Sequence, residues 1–458
     1  MSPLLAPLFR TEDAAALFSD LARVQAMLDV EAALARAQAR LGIIPEKAAG
    51  PITAACRAEL YDAAALAHGA ELSGNLAIPM VKQLTARVAE ADPHAAGFVH
   101  WGATSQDIID TGLILQLRCL LDLVGRDLPR LIRALASLAA QHRSTPMIGR
   151  TLLQQALPVT FGLKVAGWLD PLLRHRQRLA ELRPRLLVVQ LGGAAGTLAS
   201  LGEGGPAAAE ALALELGLVV PDMPWHGARD RIVELGCWLG ALTGSLGKIA
   251  RDLSLMAQTE LGEAREPAGE GRGGSSTMPH KRNPVSCAVV LAAATRAPGL
   301  VAALLAAMPQ EHERGLGGWH AEWETLPELA MLTAGALHHL AATIEGLELE
   351  PERMRTNIDA TRGLVMAEAV QMALAPVLGR QEAHRLLEAA SREAAASGRH
   401  LREILAGEPA VTDHLTATGL DDLFDPLRYA GATQSFIDRV LARADQLQGG
   451  QDARDHHG

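Results

Sequence analysis

Aromatic residues are scarce in this 458-residue chain, at 3% of the total, and only two of them are tyrosines. With few aromatic or β-branched residues, little favours strands, whereas the abundant alanine and leucine lose little on entering a helix. Cysteine is also rare. Cys56, Cys119, Cys237 and Cys287 are scattered through apolar helical patterns, which excludes a disulfide framework and fits buried free thiols of a cytoplasmic protein. Positive charge is in deficit: the net charge is −10 and the pI near 5.9, which argues against general nucleic-acid binding. No run of 18 uninterrupted apolar residues suggests a membrane span. Met1–Arg10 lacks the basic flank and sustained apolar stretch of a secretory leader. Internal repeats and low-complexity inserts are absent too.

What is present is helix after helix. Apolar positions at helical spacing run over residues 12–41 and stop at Gly42, with Pro45 beyond. A second pattern covers 107–142 and starts beside Ser105 and Asp107, both plausible caps. Residues 228–265 contain no proline; as one helix they would span roughly 57 Å. Residues 284–308 and 322–346 are similar. Helices this long and this apolar need more cover than one small domain provides, so an oligomeric bundle is expected. After Leu347, Pro351 and shorter, more charged patterns suggest a smaller C-terminal domain. The expected division is an N-terminal helical domain at 1–110, a central long-helix bundle at 111–347 and a C-terminal helical domain at 348–458. The polar tail from Gln448 is expected to be disordered. His456 and His457 in it are read as solvated rather than metal-binding.

Three separated patches could carry chemistry. The first is His100-Trp-Gly-Ala-Thr-Ser-Gln-Asp107. It places Thr104 and Ser105 where free N–H groups and a helix dipole favour an anion, although a simple helix cap would look the same. The second is Gln190-Leu-Gly-Gly-Ala-Ala-Gly-Thr197. Its glycine spacing is wrong for a dinucleotide loop, but it suits a turn that brings backbone close to a ligand. The third is Gly273-Gly-Ser-Ser-Thr-Met-Pro-His-Lys-Arg-Asn-Pro284. It packs hydroxyls, a lysine and an asparagine between glycines and prolines, a combination suited to moving a proton beside a carboxylate.

In order and spacing the three patches resemble the fumarase/aspartase superfamily over most of the chain, and the third resembles its signature loop. The resemblance implies an all-α, three-domain fold whose long central helices form the core of a homotetramer. It also implies active sites built from three subunits, one patch from each, acting on a small polycarboxylate without metal or other cofactor. Ser275 matches the family's catalytic serine. Lys281 and Asn283 match the groups that hold the substrate carboxylate and its aci form. Charge building on those oxygens needs preorganised donors, and a serine needs a cation and amides to act as a base. Ser276, Thr104, Ser105, Thr197 and Gln154 match substrate-contacting positions. Met278 and Pro279 shape the loop, and the glycines let it close.

One departure matters. Superfamily members that expel water or amines usually carry Thr-His-x-Gln. Here the stretch is Gly149-Arg-Thr-Leu-Leu-Gln-Gln-Ala156, and Leu152 takes the histidine's place. Leucine cannot transfer a proton to a leaving group, whereas a carboxylate leaves as a stable anion. The segments Leu72–Leu84, Gly149–Thr160 and Gly317–Trp323 are similar to those of the superfamily's branch that lactonises a carboxylated muconate in protocatechuate catabolism. Adenylosuccinate lyase-like elimination, a cycloisomerase for a substituted (for instance sulfonated) muconate, and a non-enzymatic scaffold are the rival readings. A polyanionic substrate on an acidic protein needs local cations. Lys281, Arg150 and Arg296 are the candidates, with Arg272 and Arg282 beside them. His320 either contacts a carboxylate or is a satisfied histidine. Trp319 and Trp323 either wall the pocket or pack the core.

Overall fold

A computed structural model describes residues 4–269, 273, 274, 278 and 281–455. The long helices are α1 (Asp20–Arg40), α2 (Ser105–Gln141), α3 (Phe161–Leu186), α4 (Asp230–Met256), α5 (Val285–Ala307), α6 (Gly318–Glu345), α7 (Arg380–Ser397) and α8 (Thr433–Asp455). The protein is all-α in class. Among the described residues its strands form two small ribbons, β1 (Pro146–Thr151) with β2 (Gln154–Thr160) and β3 (Ala264–Arg265) with β4 (Glu348–Leu349).

Several helix limits differ from the periodicity. The stretch 12–41 is two helices, because Ser19 interrupts it and caps α1 by accepting from the Ala22 amide at 3.2 Å. The stretch 228–265 is not one helix: α4 ends at Met256, a turn reaches Gly262 at φ 61°, and Ala264 pairs with Leu349. Here the fully buried Glu263 carboxylate, which binds Arg150 and Asn357, holds the chain away from the helical path. Helix α8 continues to Asp455 through the expected disordered tail. Gly449 and Gly450 weaken it by about 1 kcal/mol each relative to alanine, but their neighbours are good helix formers. His456 and His457 lie outside the described residues.

The chain forms two compact units. One comprises Met1–Leu128, His175–Leu246 and Val289–His338; the other comprises Pro129–Arg174, Gly247–Ala288 and His339–Gly458. Each draws on more than one of the three segments expected from sequence. In the first unit, Met27, Leu28, Ile52, Met80, Leu84 and Ile108 form one core, and Leu34, Val189, Leu191 and Leu212 another. In the second, Val370, Leu374, Leu387 and Leu401 pack together, as do Ile148, Ile358, Val365 and Met366. Helix α5 is long and apolar enough to cross a membrane, yet it is largely unburied in the single chain. A search for uninterrupted apolar runs passes over it, because Thr295 and Arg296 divide the run.

Candidate active site

The first patch opens α2, whose first residue is Ser105. Asp107, fully buried, accepts from the Thr104 amide at 3.0 Å and so caps its own helix. The same carboxylate also accepts from the amides of Gly192 and Gly193, both at 3.0 Å, and lies 2.7 Å from Nε2 of buried His226. The first and second patches are therefore hydrogen-bonded within one protomer. Gly192 is required here, since a Cβ would stand 2.8 Å from both the His226 ring and Pro224. Thr197 is exposed beyond this turn.

One helical turn further on, Asp110 accepts from Arg229 at 2.7 and 3.1 Å, from the Trp319 indole at 2.9 Å and from Gln106 at 3.1 Å. Arg229 also donates to Glu322 at 2.9 and 2.5 Å, and its guanidinium stacks on Trp225. Burial works against the Arg229 charge, but the two carboxylates outweigh it and push its pKa up. Trp319 is thereby a core residue, with Trp323 edge-on against it at 4.8 Å. His320 is exposed, and its Nε2 donates to the Gly74 carbonyl at 3.1 Å.

Sequence reading missed Arg314. Its guanidinium spans the hydroxyl pair of the first patch, donating to Thr104 Oγ1 at 2.8 Å and to Ser105 Oγ at 3.2 Å. The available signal was an arginine immediately before the glycine-rich stretch Gly315-Leu-Gly-Gly318, between His312 and Gly317 at φ 50° and 93°.

In the second unit, Lys281, Arg282 and Asn283 line a cavity of about 710 Å³ together with Gln258, Arg265 and Glu266. Ser275, Ser276, Arg272 and Pro279 lie outside the described residues. The neck of the signature loop is pinned. The Asn283 amide donates to the Gly273 carbonyl at 2.9 Å. The Glu266 carboxylate accepts from Ser286 and Cys287 at the start of α5 at 3.1 and 2.8 Å. Arg282 is not a free cation, because Glu348 binds it at 2.7 and 2.8 Å. That guanidinium, with the Ala268 amide, holds the Glu348 carboxyl near pKa 2.

Two other expected substrate cations are also occupied. Arg150 makes a two-pronged bond to buried Glu263 at 2.9 and 2.6 Å. Arg296 pairs with Glu328 and lies over Phe9. Breaking either pair to bind substrate would leave a carboxylate uncompensated, most severely at Glu263. Leu152 and Leu153 form the two-residue turn between β1 and β2, where Thr151 pairs with Gln154. Their φ values are 51° and 64°, and they are 97% and 79% exposed in the single chain. Gln154 is exposed beside them.

The sequence pattern of a family described as Lyase matches residues 10–299, and that of the adenylosuccinate lyase C-terminus matches 363–440. A 3-carboxy-cis,cis-muconate cycloisomerase from Pseudomonas aeruginosa is 58% identical over 94% of both chains. The chain belongs to the fumarase/aspartase superfamily of lyases. A nitrosuccinate lyase from Streptomyces davaonensis is 46% identical, covering 97% of this chain and 95% of its own. The crystal structure of the Pseudomonas putida 3-carboxy-cis,cis-muconate lactonizing enzyme matches with a TM-score of 0.94 at 51% identity, over 98% of this chain and all of that one.

Proposed function

We propose that this superfamily member is a cycloisomerase that converts 3-carboxy-cis,cis-muconate to 4-carboxymuconolactone in protocatechuate catabolism, the β-ketoadipate pathway. The observation that carries the reading is Leu152. It sits at the tip of an exposed hairpin where relatives that expel water or amines place histidine. An apolar tip cannot protonate a leaving group, but ring closure by a carboxylate requires no such acid. The high identity to cycloisomerases across nearly the whole chain supports the same choice.

In the forward reaction one substrate carboxylate oxygen bonds to the far alkene carbon. The π electrons move onto the carbon beside a second carboxylate, which becomes an aci dianion. Lys281 and Asn283 hold that dianion, and Ser275 delivers the proton that completes the C–H bond. Thr104, Ser105 and Arg314 bind another carboxylate, with Ser276, Gln154 and Thr197 as further contacts. The enzyme works as a homotetramer with three-domain subunits, and neighbouring copies complete each site. The exposed Leu152–Leu153 tip and the uncovered apolar face of α5 both call for such cover. The four cysteines carry thiols rather than disulfides, Cys119 and Cys237 exposed rather than buried as expected, in keeping with a cytoplasmic location.

The test is an assay of the purified protein with 3-carboxy-cis,cis-muconate, following loss of diene absorbance. Rapid fumarate release from adenylosuccinate, with no lactone formed from the muconate, would establish the rival elimination instead. Faster turnover of a sulfonated muconate would place this chain with the substituted substrates.

A further inference from the structure

His100 opens the first patch, and so far it has no role. Its backbone takes φ 57°, a left-handed conformation that a residue with a Cβ adopts at a cost. Its Nδ1 lies 2.6 Å from Glu31 Oε1. The Glu31 side chain, on α1, is 1% exposed, and its other oxygen is buried without a hydrogen-bond partner. A carboxylate sealed in this way is stable as an anion only opposite a cation. Burial pulls the His100 pKa down, but Glu31 outweighs it, Asp107 adds to the effect, and the net shift is upward. With Nδ1 taken by Glu31, the donor the ring can still offer is Nε2–H, on a side chain that remains one-fifth exposed.

The substrate proposed above has three carboxylates. Arg150, Arg282 and Arg296 are all bound to protein carboxylates. Among the described residues, that leaves Lys281 and Arg314 as the patch cations for three anionic groups. We propose that His100, held as an imidazolium by Glu31, is a third anion-binding group of the active site and donates Nε2–H to a substrate carboxylate. Glu31 is then a positioning residue: it touches no substrate, but it sets the charge and orientation of the ring. This inference rests on reading the first patch as substrate-binding.

Two variants test it, with a pair of inhibitors as probes. A hydrogen bond between charged groups lost on binding predicts that H100Q raises KM for 3-carboxy-cis,cis-muconate roughly 10- to 100-fold while kcat stays within about five-fold. Propane-1,2,3-tricarboxylate should inhibit the wild type more strongly than glutarate, and this preference should shrink about ten-fold in H100Q. In E31Q the ring keeps Asp107 as its nearby anion and Arg314 as the cation on the adjacent hydroxyls. Its pKa should fall toward the ordinary value of about 6.5. KM of E31Q should therefore begin to climb at a lower pH than that of the wild type, whose imidazole has the raised pKa. An unchanged inhibitor preference in H100Q, or identical pH profiles of KM for E31Q and wild type, would overturn the proposal. E31Q carries the test if H100Q does not fold. Retention of full activity by Lys281→Ala would instead overturn the site reading itself, so the two failures are distinguishable.

Discussion

Asp107 and His226 lie 2.7 Å apart, both sealed from solvent, and the same carboxylate caps α2 and holds the Gly192–Gly193 amides. One side chain thus fixes the Thr104–Ser105 pair against the glycine turn. Asp107→Ala leaves four donors without their acceptor and is expected to destabilise the protein by about 3–5 kcal/mol. Urea denaturation followed by circular dichroism measures this. A change within 0.5 kcal/mol would show that the buried network is not what joins the two patches.

Arg314 bridges both hydroxyls of the first patch. Arg314→Ala should raise KM for the muconate by roughly 10- to 100-fold. Arg314→Lys should recover only part of this, since an ammonium cannot span two acceptors in the manner of a guanidinium. Steady-state kinetics with both variants decide it; a lysine variant equal to wild type would contradict the bridging role.

Ser275 is assigned the proton. Ser275→Ala is expected to slow lactone formation by several orders of magnitude with the oligomer intact, as checked by size-exclusion chromatography alongside the assay. An active alanine variant would mean that the proton comes from another group.

The Leu152–Leu153 turn has two left-handed leucines where Asn-Gly is favoured. Each leucine costs roughly 1–2 kcal/mol in that conformation. The double variant Leu152→Asn, Leu153→Gly should therefore relax the hairpin but weaken activity and subunit association, read by thermal melting, turnover and sedimentation. Leu152→His should not speed lactonisation, because no leaving group needs an acid. A large rate gain there would undo the argument from the missing histidine.

Glu348 anchors the neck of the signature loop. Its carboxyl is held near pKa 2 in the folded protein, below its ordinary value of 4.5. A depressed carboxylate pKa contributes stability above the unfolded value and loses it as pH falls through the folded one. The contribution should therefore fade between about pH 4.5 and 2. The pair is largely solvent-exposed, so the effect is small. Glu348→Gln should flatten the urea midpoint against pH in that window and leave it nearly unchanged at pH 7.

The signature loop was legible because its hydroxyls, lysine and asparagine are contiguous in the chain. The same reading could not see the ion pairs of Arg150, Arg282 and Arg296. It counted cations, but their partners Glu263, Glu348 and Glu328 are more than 30 residues away along the chain. Arg314 was missed for the converse reason, since its partners Thr104 and Ser105 lie about two hundred residues earlier. The hairpin at 146–160 was invisible to periodicity, because its strands are short and its turn lacks the usual glycine.

The sequence by itself determined the helical class, the superfamily and the absence of a histidine at position 152, because composition, motif and residue identity are properties of the chain. Only the tertiary structure decided which charges are available. A guanidinium's role depends on whether a carboxylate stands within hydrogen-bond distance, and folding brings those carboxylates from remote segments. It also joined the first two patches through Asp107, a residue that reads in the sequence as no more than a helix cap.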